Sequence, residues 1–255
     1  MLNTKAISKS VRKKILISSF KAKSAHIASS LSIVDLITVI YCKELKKNKK
    51  NIFILSKGHA CLAHYCLLNK LKIISDKVLN TYGANGSILM SHSSHKVPGV
   101  LFSTGSLGHG LPVSVGIALS NKIKKNTIKT FVLMSDGELN EGSNWEAMLF
   151  ANHHKLDNLV IIIDYNKIQS LDFVKKTINL EPLKQKFLSF GLRVKIIDGH
   201  NHSIISKSLK TKTNKPLVII ANTIKGKGVK FMENKVLWHY KSPNQKEVMD
   251  GLKQI

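Results

Sequence analysis

The chain has 255 residues, 43% of them hydrophobic and 22% charged, as expected for a globular protein with a sizeable buried core. The longest apolar run is too short to span a bilayer, and three cysteines without CxxC spacing argue against a disulfide framework or a zinc site. The net charge of +25 suggests nucleic-acid binding, but the lysines are scattered and form no stripe, so we interpret them as a solvated basic surface.

The N-terminal fifteen residues are basic, but they lack the apolar core and cleavage site of a signal peptide. We therefore expect a cytoplasmic protein.

Helical and strand-like patterns alternate along the chain. The first half predicts a helix at SIVDLITVIYCKEL, a strand at NIFILS, a helix at ACLAHYCLLNKL, a polar loop at 82–99 and a helix opened by STGSLGHG. Strands are then predicted at KTFVLMSD, NLVIIIDY, LRVKIIDG and PLVIIANT, separated by helices at NWEAMLFANHHKL, EPLKQKFLSFG and HSIISKSLK. This alternation predicts one α/β domain over 1–255, with a central, mostly parallel sheet covered by helices on both faces. Residues 224–255 lack a clear period, and we expect an arm over the surface.

Two polar residues follow strands at the edge where parallel strands end. Asp136 follows KTFVLMS and could simply cap the next helix, while Asn166 follows NLVIIIDY and could be an ordinary turn residue. Alternatively, the two side chains face each other, because ligands in such folds bind at this edge. A carboxylate, an amide oxygen and a nearby backbone carbonyl would suit Mg²⁺, which completes its coordination with phosphate oxygens and water.

The stretch SDGELNEGSNWEA, followed by DYNKI, resembles the thiamine diphosphate motif in its transketolase form. The resemblance implies that Asp136, Asn166 and the Ile168 carbonyl bind Mg²⁺, or Ca²⁺ or Mn²⁺ in its place. This ion would hold the cofactor diphosphate, which Gly137 would allow to approach the backbone. The family usually has glycine where this chain has Ser135.

Four histidines lie in separate segments that resemble transketolase motifs. They are His26 in SAHIASSLSIVDLI, His59 in ILSKGHA, His92 in MSHSSHKVPGV and His239 in WHY. The resemblance implies that all four lie at the active site, where His59 and His239 also contact the cofactor. Imidazole suits proton exchange with sugar hydroxyls near neutral pH. Tyr240 stands where the family typically has glycine. The other histidines considered, His64, His95, His153, His154, His200 and His202, are interpreted as surface or packing residues.

Two further segments carry cofactor-binding residues by the same resemblance. STGSLGHG resembles the loop over the cofactor aminopyrimidine and contains Gly105, Ser106 and Leu107. NTIKGKG contains Lys225, which the resemblance places on the diphosphate, although a lysine between glycines could also be a charged turn.

The resemblance covers almost the whole chain but only the first of three transketolase domains. The pyrimidine-binding domain, which supplies the glutamate that hydrogen-bonds the aminopyrimidine, has no counterpart here. We therefore expect the N-terminal subunit of a two-subunit enzyme, completed by a separate C-terminal transketolase subunit in a heterotetramer. Glu141 and Glu146 would lie at the subunit interface, although both would also favour the start of a helix.

The implied reaction is the transfer of a two-carbon ketol unit from a ketose phosphate to an aldose, as in the pentose phosphate pathway. The cofactor would supply the carbanion chemistry while protein groups orient the reactants. One alternative is a related split thiamine diphosphate enzyme, either deoxyxylulose-phosphate-synthase-like or a specialised ketol transferase. Others are a non-catalytic partner subunit that kept the fold and a basic nucleic-acid-binding protein.

Overall fold

Five parallel strands form the centre of the computed structural model, which describes residues 3–255. The strands are β1 (Ile52–Leu55), β2 (Thr130–Ser135), β3 (Leu159–Tyr165), β4 (Arg193–Asp198) and β5 (Leu217–Asn222), in the order β1-β2-β3-β5-β4. Every neighbouring pair is parallel, so each connection must cross over the sheet.

The crossovers and the chain ends contain eleven α-helices within the described residues. They are α1 (Thr4–Ala22), α2 (Ile27–Ser32), α3 (Val34–Val39), α4 (Cys61–Lys70), α5 (Asp76–Leu79), α6 (Gly110–Ile123), α7 (Gly142–His153), α8 (Val174–Thr177), α9 (Leu183–Ser189), α10 (His202–Leu209) and α11 (Gln245–Gln254). A π-helical segment, Ile40–Leu45, continues α3, and 3₁₀ turns lie at Gly58–Ala60, Gly137–Asn140 and Val236–His239.

Alternate residues of β1, β2, β3 and β5 enter separate cores on the two faces of the sheet, whereas the edge strand β4 is partly exposed. Phe131 and Leu133 pack on one face with α1 to α4 and α10. Val132 and Met134 pack on the other face with α6, α7 and α9. A strand buried on both sides must be apolar at nearly every position, which explains the continuous hydrophobic runs. The predicted α/β fold with helices on both faces is confirmed.

The strand register brings the polar strand ends together. Ser135 on β2 pairs with Asp164 on β3, and Asp164 pairs with Ala221 on β5. The residues that follow these strands therefore leave the sheet side by side at its carboxyl edge. That edge is where open α/β sheets bind ligands.

The two chain ends differ from the sequence-based expectation. The N-terminal helix α1 was not predicted, and the tail over 224–255 is more than an arm, because it includes α11 and buries Val229, Met232 and Trp238. Helix α11 is short and mostly polar, and within it only Val248 and Gly251 are buried, so no continuous apolar run marks it in the sequence. The sequence signal for the start of α11 is its capping box, Asn244 followed three residues later by Glu247.

Among residues 3–255, no helix combines the length and the hydrophobicity needed to cross a membrane. All three cysteines are free and buried.

The capping box of α11 predicts the first stability effect. The Asn244 side chain accepts the Glu247 N–H at 2.9 Å, and the Glu247 carboxylate accepts the Asn244 N–H at 2.8 Å. Asn244→Ala should lower the free energy of unfolding by about 1 kcal/mol, because a helix N-terminal N–H loses its acceptor. Urea denaturation measures this change. Lys246→Ala, an exposed change in the same turn, should stay within about 0.5 kcal/mol of wild type. Equal effects of the two variants would contradict the prediction.

Candidate functional site

A cavity at the carboxyl edge of the sheet gathers most of the predicted site residues. Its lining includes His26, His59, His92 and His239, the loop residues Gly105 and Leu107, the turn residue Gly137, and Asp136, Asn166, Ile168 and Lys225. Three predicted residues do not line the cavity. Ser106 is exposed, between Gly105 and Leu107 in the same loop. Glu141, directly before α7, and Glu146, within α7, are also exposed.

The four histidines form one cluster although they come from distant parts of the chain. The ring centroid of His26 lies 5.3 Å from that of His59, 5.9 Å from that of His92 and 4.9 Å from that of His239. His59 follows β1 in a tight turn that contains Gly58. Gly58 packs against the Thr104 carbonyl oxygen, which would lie 2.3 Å from any Cβ at position 58. Only glycine fits there without displacing the backbone.

His26 has an unusual backbone conformation. Its φ is 65°, in the left-handed region, and its N–H donates to the His239 carbonyl at 2.9 Å. Between residues 3 and 255, six other non-glycine residues, five of them lysines, have a similar φ, so this conformation directs the His26 ring without by itself marking a functional site.

Burial keeps three of these imidazoles neutral at pH 7. It lowers the pKa of His26 to about 4, with further contributions from His92, Lys225 and Lys57. It also lowers the pKa of His239 to about 3, together with Lys225, and holds that of His59 well below its usual value. A neutral imidazole can both accept and donate a hydrogen bond, which suits proton handling.

Asp136 is a buried carboxyl group whose ionisation is opposed by its surroundings. It is 1% exposed, and its oxygens accept the N–H groups of Gly137 at 2.8 Å and Lys167 at 2.6 Å. Burial, followed by repulsion from Asp164, raises the pKa of Asp136 to about 7. A cation bound to Asp136 would stabilise its ionised form and so lower its pKa.

Lys225 contacts the Ile168 carbonyl oxygen, which is one of the predicted metal ligands. Its ammonium donates to the Ile168 carbonyl at 3.0 Å and to the Gln169 carbonyl at 3.2 Å, and it lies 2.9 Å from Nδ1 of His239. Burial and the nearby Lys57 lower the pKa of Lys225 to about 7. The surroundings of Ile168 therefore accommodate a cation.

The predicted metal ligands have the donor chemistry of a hard divalent ion. A carboxylate, an amide oxygen and a backbone carbonyl are all oxygen donors, as Mg²⁺ requires. Over residues 3–255 there is no cluster of three or more His, Cys, Asp or Glu side chains that could hold a metal ion. The residues present fit Mg²⁺ with a diphosphate.

Sequence reasoning missed Asp164, the carboxylate that orients Asn166. Asp164 is fully buried and accepts from Lys57 Nζ at 2.5 Å, from Ser32 Oγ at 2.6 Å and from the Thr223 hydroxyl. The Asn166 amide nitrogen also donates to it, at 2.9 Å, which leaves the amide oxygen to accept the N–H of Ile168. Although burial opposes ionisation, Lys57 lowers the pKa of Asp164. The available signal was an acidic residue inside an otherwise apolar strand.

Glu138 is the second functional candidate that was missed. It is fully buried, and its carboxylate accepts from the Ser56 hydroxyl, from the Gly108 N–H at 3.1 Å and from the Ser135 N–H at 3.4 Å. It therefore joins the turn after β2 to the loop that carries Gly105. The Ser135 hydroxyl accepts the N–H of Glu138 at 3.3 Å, so the structure accommodates serine at this position within the turn.

Besides Ser135, the other departure from the family pattern is Tyr240, next to His239. Tyr240 is 58% exposed, and its ring centroid lies 5.0 Å from that of His239. Lys57, which follows β1 within SKGH, lines the cavity and is buried, although the sequence assigned it no role.

The Lys57–Asp164 pair generates a stability prediction. Lys57→Met should lower the free energy of unfolding by about 3–5 kcal/mol, because it leaves a buried carboxylate without its counter-ion. The double variant Lys57→Met/Asp164→Asn, which carries no buried charge at this point, should recover part of that loss. Denaturation of four proteins, namely wild type, Lys57→Met, Asp164→Asn and the double variant, gives the coupling energy. Strictly additive losses would contradict the prediction.

Comparisons with known proteins identify the family of this chain. Residues 4–254 match the family described as "Transketolase, thiamine diphosphate binding domain". The chain is 40% identical to one subunit of the apulose-4-phosphate transketolase of Actinobacillus succinogenes, over 97% of this chain and 94% of that protein. It is 35% identical to the 6-deoxy-6-sulfo-D-fructose transketolase subunit SqwG of a Clostridium species, over 90% of this chain and 87% of that subunit.

Longer relatives contain this chain as one part. Human transketolase is 33% identical over 86% of this chain, which spans only 37% of that enzyme. The crystal structure of transketolase from Campylobacter jejuni superposes with a TM-score of 0.89 and 28% identity, over 99% of this chain and 43% of that one. The chain therefore belongs to the transketolase family and comprises its thiamine diphosphate binding domain.

Proposed function

We propose that this chain is the N-terminal subunit of a two-subunit, Mg²⁺-dependent transketolase. The enzyme transfers a two-carbon ketol unit from a ketose phosphate to an aldose. The observation that carries this proposal is the convergence of four histidines, Lys225 and an oxygen-donor set on one cavity. No residue of this group is explained by packing alone, because each presents polar atoms to a shared space.

The extent of the relatives supports a split enzyme. This chain spans nearly all of the Actinobacillus succinogenes relative but little more than a third of human transketolase. A separate subunit with the pyrimidine-binding domain completes the active site. Helix α7 exposes Leu149 (57%) and Phe150 (45%) as well as Glu146, and the exposed Glu141 directly precedes it. This mixed apolar and acidic surface is suited to a subunit interface in a heterotetramer.

Asp136, Asn166 and the Ile168 carbonyl hold Mg²⁺ in this proposal, and Lys225 and His59 contact the diphosphate. With a metal ion at the Ile168 carbonyl, the Lys225 ammonium, which now donates to that carbonyl, would be available to a phosphate oxygen. Gly137 lies beside Gln169, whose side chain would be 3.0 Å from a Cβ at position 137, so a larger residue would fill the space between them. Gly105, Ser106 and Leu107 cover the cofactor ring.

When bound, thiamine diphosphate supplies a nucleophilic carbon that can add to a sugar carbonyl. The chain contributes orientation and proton transfer. His26, His59 and His239 are neutral at pH 7 and can accept a proton from a sugar hydroxyl or donate a hydrogen bond to it. His92, which is exposed at the cavity mouth, is placed to contact the substrate.

Metal binding should depend on pH with a defined sign. Mn²⁺, used as a probe for the Mg²⁺ site in the full chain, should bind more tightly as pH rises from 6 to 8. Two effects act together, because Asp136 and Lys225 each lose a proton near pH 7. We expect a gain of roughly tenfold or more. Electron paramagnetic resonance of free Mn²⁺ measures it.

The same titration on Asp136→Asn should show little binding at either pH. Asp157→Asn removes an exposed carboxylate from the amino end of β3 and should behave as wild type. Strong, pH-independent binding by Asp136→Asn would overturn the metal assignment.

The activity itself is tested on the chain co-purified with its partner subunit. With thiamine diphosphate and Mg²⁺, xylulose 5-phosphate and ribose 5-phosphate should yield sedoheptulose 7-phosphate, and the chain alone should yield none. Apulose 4-phosphate and 6-deoxy-6-sulfofructose, named in the relatives, are parallel donors. Transfer from one of these alone would favour a specialised ketol transferase. The absence of cofactor-dependent transfer from every donor would overturn the proposal.

A further inference from the structure

A second polar cluster lies outside the cavity, around the buried carboxylate of Asp35 on α3. Arg12 donates to it through Nη1 at 3.0 Å and Nη2 at 2.6 Å. His200 Nδ1 lies 2.8 Å from one carboxylate oxygen, and His202 Nε2 lies 2.9 Å from the other. Asp35 is 5% exposed, and none of these four residues lines the cavity.

The hydrogen bonds of this cluster keep Asp35 ionised and fix the tautomer of His200. Burial alone would raise the pKa of Asp35, but hydrogen bonds from His200, His202 and Arg12 hold it well below its usual range. His200 Nε2 accepts the N–H of Ile224 at 2.9 Å, so Nδ1 must carry the hydrogen donated to Asp35. A neutral His200 therefore links a fixed carboxylate to the backbone.

Two partners of Asp35 hold the backbone on both sides of Lys225. His200 binds the N–H of Ile224, and Arg12 Nε donates to the Lys227 carbonyl at 3.1 Å. Gly228 brings the chain so close that a Cβ there would lie 3.0 Å from Cδ of Arg12. The segment 224–227 is thus attached at two points to groups that share one carboxylate.

We propose that the Asp35 cluster positions Lys225 for the cofactor diphosphate. The inference rests on the proposed function, which places Lys225 on that diphosphate. Lysine is a long, flexible side chain, and its reach into the cavity depends on where its Cα is held. Asp35, Arg12 and His200 are positioning residues, because they act on the ligand only through the 224–227 backbone.

His202 provides the matched comparison within the same cluster. It binds Asp35 through Nε2 and lies 2.8 Å from the Thr4 hydroxyl through Nδ1, and it makes no hydrogen bond to residues 224–227. A cluster that only stabilises the fold would be affected alike by changes at His200 and His202. A positioning cluster would transmit only the change at His200 to Lys225.

The test uses variants that remove one ring nitrogen at a time. In His200→Asn the amide nitrogen replaces Nδ1 and still donates to Asp35, but the acceptor for Ile224 is lost. In His202→Gln the amide nitrogen replaces Nε2 and still donates to Asp35. Hydrogen exchange on the full chain without cofactor should show the Ile224 amide exchanging about fivefold faster or more in His200→Asn. His202→Gln should leave this amide unchanged.

The second readout is the affinity of the assembled enzyme for thiamine diphosphate with Mg²⁺. His200→Asn should raise the KM for the cofactor about fivefold, leave kcat at saturating cofactor near wild type, and have no further effect in a Lys225→Ala background. His200→Gln, whose amide oxygen replaces the Nε2 acceptor, should recover part of the affinity.

The outcomes separate the two proposals. If Lys225→Ala leaves cofactor affinity unchanged, the diphosphate role of Lys225 fails, and the positioning proposal fails with it. If Lys225→Ala weakens binding but His200→Asn does not, the proposed function stands and the positioning proposal is overturned. Equal exchange and affinity changes in His200→Asn and His202→Gln would also overturn it, because they would show a purely structural role.

Discussion

The buried ion pair between Lys57 and Asp164 is the interaction on which the site depends. Neither charge reaches water, so each must be satisfied by groups brought from elsewhere, here Ser32 from α2 and Thr223 from the end of β5. The pair thereby fixes the ends of three strands and one helix relative to each other. A side chain that lines the cavity lies two residues after each of Lys57, Asp164 and Thr223. These are His59, Asn166 and Lys225.

The cavity combines two opposite electrostatic demands. Asp136 is a carboxylate whose ionisation burial opposes, and Lys225 is an ammonium whose protonation burial opposes. A ligand that is cationic at one end and anionic at the other satisfies both, and a metal diphosphate has that arrangement of charge. The neutral histidines adjoin this ionic region, because His239 Nδ1 lies 2.9 Å from the Lys225 ammonium. The His239 ring in turn lies 4.9 Å from that of His26 and 5.7 Å from that of His59, centroid to centroid. Ligand binding and proton transfer are therefore coupled through one set of side chains.

The sequence predicted the sheet because its signals are local, whereas the four histidines and Lys225 were proposed for the site from their resemblance to transketolase motifs. Apolar runs mark strands buried on both faces, and a polar residue such as Asp136 directly after a strand marks the ligand edge. The stabilising contacts were beyond reach because they join distant residues: Ser32 and Asp164 are 132 positions apart, and Arg12 and Lys227 are 215 apart. His200 was assigned to packing, and nothing in its local sequence shows that it binds the backbone of Ile224.

The left-handed backbone of His26 links two distant segments at the site. Lysine adopts a similar φ at five other positions between residues 3 and 255, so the conformation alone does not require histidine here. The N–H of His26 donates to the His239 carbonyl, which joins the start of α2 to the 3₁₀ turn at Val236–His239. A movement of the C-terminal segment would therefore carry both imidazoles together, so the backbone sets the spacing of this pair.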